Sequence, residues 1–115
     1  MQQLNERYSD TEIHKKFPVG TLVTVGKPCL GNDEGNVAVV YENYTISEQY
    51  RGISLLFANG SYDGFSSTCM QIFNVERVGF CEQVSDYLFL NVGKLSEDFR
   101  LGRFKSAFAS DLTLA

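Results

Sequence analysis

The stretch Gly52–Phe73, GISLLFANGSYDGFSSTCMQIF, sets two short apolar runs against each other across Asn59-Gly60. Ile53–Phe57 and Tyr62–Phe65 are rich in residues that suit a pleated, half-buried surface, so each is expected to be a strand. Asn-Gly favours a two-residue type I′ turn, in which both central residues take positive φ. With Asn59 and Gly60 as those residues, Ala58 pairs with Ser61, Phe57 with Tyr62, Leu56 with Asp63, Leu55 with Gly64 and Ile53 with Ser66. Phe57 and Tyr62 then form a cross-strand aromatic pair. Gly64 inside its strand predicts a bend or bulge of the kind a small barrel uses at its corners.

The chain has 115 residues, 43% of them hydrophobic, with nine Phe and six Tyr, enough for one domain with a real core. A net charge of −4 offers no global attraction to nucleic acid or to an anionic membrane, so a partner is expected to be neutral or basic. Cys29, Cys69 and Cys81 are widely spaced, with no C-x-x-C pair, and read as reduced thiols. The polar N-terminus MQQLNERYSDTEIHKK lacks an apolar signal-type region, and no apolar run reaches the ~18 residues of a membrane span. The expectation is a cytoplasmic protein without membrane contact.

Residues 1–18 read as an N-terminal arm. Ser9 or Asp10 caps a short helix, Lys15 and Lys16 fill its last turn and Pro18 ends it, with only Ile13 and Phe17 as apolar anchors. Thr21–Val25 is the first expected strand, and Val37–Tyr41, with Tyr44 as its alternative end, is the second. Between them GKPCLGNDEGN is a loop, and TISEQYRG is polar enough to be another. Ser66-Ser67-Thr68 can cap a helical turn through Met70, after which Ile72-Phe73 resumes extended structure. Five short strands therefore fall within Thr21–Phe73, a pattern suited to a small antiparallel barrel over 19–80.

The last third, 81–115, changes character. Leu88, Val92, Leu95 and Phe99 fall at helical spacing, predicting a helix from about Asp86 to Leu101 that ends before Gly102. Gly93, which costs roughly 1 kcal/mol in a helix interior, leaves open a strand over Tyr87–Asn91 followed by a shorter helix capped by Ser96. The extension is expected to pack on the barrel or on a second subunit, and its helix could carry a homo-oligomer.

Gly20-Thr-Leu-Val-Thr-Val, a glycine-rich loop and Gly35-Asn-Val-Ala-Val-Val-Tyr together resemble the opening of SH3-like barrels of the KOW and Tudor kind, over residues 20–75. The resemblance implies binding rather than catalysis. KOW modules that bind RNA are basic around this loop, whereas residues 20–79 hold Lys27, Arg51 and Arg77 against six carboxylates, a net charge of −3. A Tudor-like aromatic cage for a methylated cation would draw on Tyr41, Tyr44, Tyr62 and Phe65 with Glu42 or Asp63. The same aromatics are equally the material of a core or of cross-strand pairs.

No catalytic set emerges. His14 is the sole histidine and would have to meet a thiol for cysteine catalysis. Gly31-Asn-Asp-Glu-Gly35 lacks the alternate spacing and terminal Glu of a calcium loop, and Gly20–Lys27 fails as a phosphate loop because Pro28 follows the lysine. Lys94, Arg100, Arg103 and Lys105 against Glu97 and Asp98 make a modest basic face. The chain therefore reads as an α+β, mainly β protein: a five-stranded SH3-like antiparallel barrel followed by a C-terminal helix. It is expected to be a protein-interaction module or accessory subunit, not an enzyme, with no metal and no cofactor. Its expected binding residues are Tyr41, Tyr44, Tyr62, Asp63 and Phe65, joined by the Gly31–Gly35 loop. Nucleic-acid binding through a KOW-like barrel and the basic face is the first alternative, disfavoured by the acidic barrel. A small ligand-binding or minor enzymatic domain is the second.

Overall fold

A computed structural model describes residues 12–47 and 50–108. Five antiparallel strands form one sheet: β1 Thr21–Thr24, β2 Val37–Ser47, β3 Tyr50–Phe57, β4 Tyr62–Ser66 and β5 Glu76–Phe80, in the order β4-β3-β2-β1-β5. Helices α1 Ile13–Lys16, α2 Ser67–Ile72 and α3 Val92–Arg100 accompany them, and residues 105–108 are helical too. The class is α+β, but the expected closed barrel is not formed. β4 and β5 are the two edges of the sheet and do not pair with each other. The fifth strand also lies later than expected, because the Ser66 hydroxyl caps α2 by accepting from the Cys69 N–H and the helix runs through Ile72. The polar TISEQYRG segment is no loop. β2 continues to Ser47 and pairs with β3 out to Tyr50, so the two strands project as one long hairpin.

The central hairpin pairs one residue out of the expected register. Leu56 faces Tyr62, Leu55 faces Asp63, Ser54 faces Gly64, Ile53 faces Phe65 and Gly52 faces Ser66. The turn has three residues: the Phe57 N–H donates to the Ser61 carbonyl at 2.9 Å, and Gly60 alone takes positive φ, at 88°. Asn59 keeps negative φ because its carboxamide is used elsewhere. Its Oδ1 accepts from the Ser61 N–H and hydroxyl, while its Nδ2 donates to the Leu30 carbonyl across the sequence. A left-handed pair does occur, at Leu30-Gly31 (φ 51° and 77°), closing a two-residue turn in which Cys29 and Asn32 exchange both backbone hydrogen bonds. A one-residue slip exchanges the faces of a strand pair, so Phe57 and Tyr62 end on opposite sides of the sheet.

Both faces are covered. On one, Val23, Val40, Ile53, Leu55, Phe57 and Phe65 pack with Met70 of α2 and with Ile13 and Phe17. The N-terminal segment is thus no frayed arm from Glu12 onward: Ile13 is fully buried, His14 Nε2 lies 2.9 Å from the Gly52 carbonyl oxygen, and Asn43 Nδ2 donates to the Phe17 carbonyl at 2.8 Å. The expected caps Ser9 and Asp10 fall outside the described residues. On the other face, Leu22, Val39, Tyr41 and Leu56 pack with Val84, Leu95, Phe104 and Ala107. Ile53, Leu55 and Phe57 serve one core and Leu56 the other, so the run is apolar on both faces apart from the buried Ser54.

The expected helix over 86–101 is only half present. A 3₁₀ turn at Glu82–Val84 is followed by an irregular stretch, and α3 begins at Val92 with Asn91 as its cap, Asn91 Oδ1 accepting from the Lys94 N–H at 2.8 Å. Gly93 falls in the first turn, where its cost is small, and Ser96 is interior. Over 87–90, half-buried Tyr87 and Phe89 alternate with exposed Leu88 and Leu90, a period of two and not of 3.6. The helical spacing of Leu88 and Val92 was therefore coincidental.

One buried group lacks a partner. Thr21 is fully buried and, among the described residues, its hydroxyl oxygen makes no hydrogen bond. Thr21→Val removes that desolvated hydroxyl at constant shape, so chemical denaturation should find the variant as stable as the parent or up to about 1 kcal/mol more stable.

Candidate functional site

The five residues expected to bind a partner do not form one site. Tyr41 is 3% exposed and stacks on Phe89 with ring centroids 5.1 Å apart, so it is a core residue of the C-terminal side. Burial pushes its phenol up to about 12. A bulge after Val40 places Glu42 opposite Ser54, whose hydroxyl donates to Glu42 Oε1 at 3.0 Å. Tyr44 faces Gly52, and Tyr62 faces Leu56, which puts both on the Tyr41 side. The Tyr44 ring fills the space left by two glycines, with a Cβ built at Gly64 coming within 3.3 Å of it. Phe65 sits on the opposite face, 4% exposed and edge-on to Phe73 at 5.8 Å. Register thus brings Tyr41, Tyr44, Tyr62 and Glu42 to one face and sends Phe65 and Asp63 to the other, so Phe65 cannot join the tyrosines in a cage.

The structure does unite Asp63 and Phe65 with the glycine-rich loop. A groove of about 250 Å³ is lined by Pro28, Cys29, Leu30, Asp63, Gly64, Phe65, Cys69 and Phe73. Three local features build it. The two-residue turn at Leu30-Gly31 folds the loop over the edge strand, and Asn32 holds it there by donating from Nδ2 to the Ser61 hydroxyl at 3.0 Å. β4 supplies Asp63 and Phe65, and α2, capped by Ser66, presents Cys69. Leu30 is a branched residue in the left-handed region, a conformation that costs on the order of 1 kcal/mol and is kept only where surrounding contacts impose it. Sequence reading named Asp63 and Phe65 but joined them to Gly31–Gly35, whereas the groove is lined by Pro28, Cys29 and Leu30 just before that loop, and by Cys69 and Phe73, which it missed. Their position depends on the length of α2, which Ser66-Ser67-Thr68 hinted at.

The groove is apolar with one charge at its rim. Asp63 is exposed, its Oδ1 accepting from the Gly64 N–H at 2.8 Å. Burial, reinforced by the Asp63 carboxylate, pushes the Cys29 thiol above its ordinary value and so keeps it protonated at neutral pH. That is the reverse of what a nucleophilic cysteine requires. The C-terminal basic face is largely consumed by its own neighbours. Lys94 pairs with Asp98 at 2.9 Å and Arg103 with Asp86 at 2.8 Å. The Asp98 carboxyl is held below the usual range by hydrogen bonds from Lys94 and then Tyr87. A separate open cleft of about 480 Å³ lies between the end of α1 and β5, lined by Lys15, Lys16, Phe17, Val75, Glu76 and Arg77.

Among the described residues no three His, Cys, Asp or Glu side chains are grouped to hold a metal ion, and no helix is long and apolar enough to cross a membrane. Comparison with family models, with curated proteins and with solved structures finds no match to this chain.

Proposed function

We propose that the chain is a protein-interaction module without catalytic activity, built on an SH3-like sheet left open between β4 and β5. Its docking site is the groove beneath Leu30. The observation that carries this reading is the pairing of an apolar trough, floored by Phe65 and Phe73, with the exposed carboxylate of Asp63. Such a site takes an apolar side chain of a partner peptide with a lysine or arginine beside it, in keeping with the net charge of −4. Strand order supports the fold reading, since four strands in a meander followed by a fifth that returns to the first is a five-stranded barrel up to its final seam. Three free cysteines suit a reducing compartment, hence a cytoplasmic protein.

The test is titration of a panel of short peptides, each with a central Leu, Phe or Met flanked by Lys or Arg, followed by calorimetry and by maleimide labelling of Cys29 and Cys69. Binding should shield both thiols and weaken at least tenfold in Asp63→Lys, an exposed site where the fold tolerates the change. A panel that leaves labelling unchanged removes the proposal.

A second reading, nucleic-acid binding, draws on the α1–β5 cleft, where Lys15, Lys16 and Arg77 line one opening. A gel shift at low salt with single- and double-stranded oligonucleotides decides it, and the absence of any complex there disposes of it.

A further inference from the structure

β4 is an edge of the sheet, and its outer side borders the Leu30 groove. The Phe57 N–H donates to the Ser61 carbonyl, which makes that a bonded pair, and bonded and unbonded pairs alternate from there along an antiparallel ladder. Asp63 and Phe65 therefore turn their backbone groups toward Leu55 and Ile53, whereas Tyr62 and Gly64 turn theirs away from β3. A separate contact fixes the same phase: the Gly64 N–H donates to Asp63 Oδ1 at 2.8 Å, so it points out of the sheet and not at Ser54. Among the described residues, the Tyr62 N–H and the outward carbonyls of Tyr62 and Gly64 have no hydrogen-bond partner. Gly64 is exposed. The loop above the groove is tied to the hairpin turn and not to this edge, Asn32 Nδ2 donating to the Ser61 hydroxyl and Asn59 Nδ2 to the Leu30 carbonyl.

We infer that the partner peptide binds as a sixth strand, antiparallel to β4, with one apolar side chain in the groove and a lysine or arginine two residues later. The inference rests on the reading of the groove as a peptide site. Strand addition draws affinity from main-chain bonds and specificity from alternate side chains. An antiparallel strand bonds to Tyr62 and Gly64, and its residues opposite Phe65 and Asp63 turn their side chains to the groove face. The residue opposite Phe65 lies over Phe65 and Phe73, and the one opposite Asp63 comes two positions later because the strands run in opposite senses. That sense continues a sheet in which every pairing is antiparallel. Asp63 sets the charge. Unlike Asp86 and Asp98, it has no ion pair among the described residues. Its carboxylate holds the Gly64 N–H instead, which blunts the edge as charged side chains commonly do. A cation at the opposed position draws the carboxylate away and frees that donor for the peptide. An edge guarded in this way favours strands that carry a positive charge. The other edge, β5, presents a less regular ladder, because its register breaks at Val78.

The test is calorimetry of the full chain with the peptide acetyl-Ser-Leu-Thr-Lys-Thr-Ser-amide, up to about 1 mM, and with two N-methylated forms of it. N-methylation of the threonine after leucine removes the N–H that bonds to the Gly64 carbonyl, and should weaken binding about tenfold. N-methylation of the lysine removes an N–H that points away from β4, and should change binding by less than about twofold. Hydrogen exchange at the Tyr62 amide should slow as peptide is added. Replacing the peptide's lysine by threonine should weaken binding to the parent chain, and that preference should disappear in Asp63→Ala. Equal effects of the two N-methyl groups, or an unchanged Tyr62 amide, would overturn strand addition while leaving the groove as a side-chain pocket. Tighter binding of the reversed order Lys-Thr-Leu would overturn the antiparallel sense, and a lysine preference that survives in Asp63→Ala would overturn the role of Asp63. No binding by either order, with Cys29 and Cys69 unshielded, would remove the groove reading itself.

Discussion

Gly52→Ala is expected to lower stability by about 3 kcal/mol and the melting temperature by about 10–15 °C, although it adds one methyl group. Gly52 is buried in β3 with ordinary negative φ, so the penalty is steric and not conformational. A Cβ there would collide with the Tyr44 phenol and lie 2.6 Å from the Phe65 carbonyl oxygen. The phenol can swing away, but the carbonyl belongs to the β3–β4 ladder, where Gly52 faces Ser66 and Ile53 faces Phe65. The same residue's own carbonyl receives His14, so displacement of β3 also loosens α1. Thermal melts of Gly52→Ala, Tyr44→Ala and the double variant separate the two obstacles. If the ring were the whole obstacle, the double variant would melt with Tyr44→Ala alone; the carbonyl predicts that it melts well below it. A Gly52→Ala protein as stable as the parent would mean that Tyr44 does not lie across β3.

Phe104→Ala is expected to cost about 3–5 kcal/mol, as large as any truncation within the sheet. Phe104 is 1% exposed and stacks on Tyr87, and its cluster contains Leu22 of β1, Val39 and Tyr41 of β2 and Leu56 of β3. The cavity it would leave is bounded by three strands that cannot move without disturbing the opposite core. Domains of this size hold only about 5–15 kcal/mol in total, so the variant should populate unfolded chain under mild denaturant. Urea unfolding followed by two probes, one on each face of the sheet, checks the coupling. If 81–108 were an appendage to an independent sheet, the loss would fall below about 1 kcal/mol and the probe on the Phe57 side would not shift.

What local chemistry could announce was legible. Alternation and β-branching marked the central parts of β1 and β2, Ser66 announced the cap of α2, and the run Ile53–Phe57 announced a strand, though one half-buried and not buried on both faces as it is. The groove was legible only in Asp63 and Phe65, which lie on the hairpin itself; the loop residues that line it, Pro28 to Leu30, precede the Gly31–Gly35 stretch that was expected to join them. Asn59-Gly60 misled by one residue. Its turn preference is worth little beside the hydrogen bonds that Asn59, Ser61 and Asn32 make with one another and with Leu30, some of them spanning 27 to 29 residues. Leu88 and Val92 misled about α3, because helical spacing and strand alternation share positions over so short a window. By itself the sequence determined four antiparallel, aromatic-rich strands, β1 to β4, a net negative charge and a small helix after β4, but not the position of β5. Tertiary structure alone decided the register of the hairpin, the open seam between β4 and β5, and the second core. Each depends on contacts between residues far apart in the chain, where the area buried on both faces of β3 outweighs any local preference.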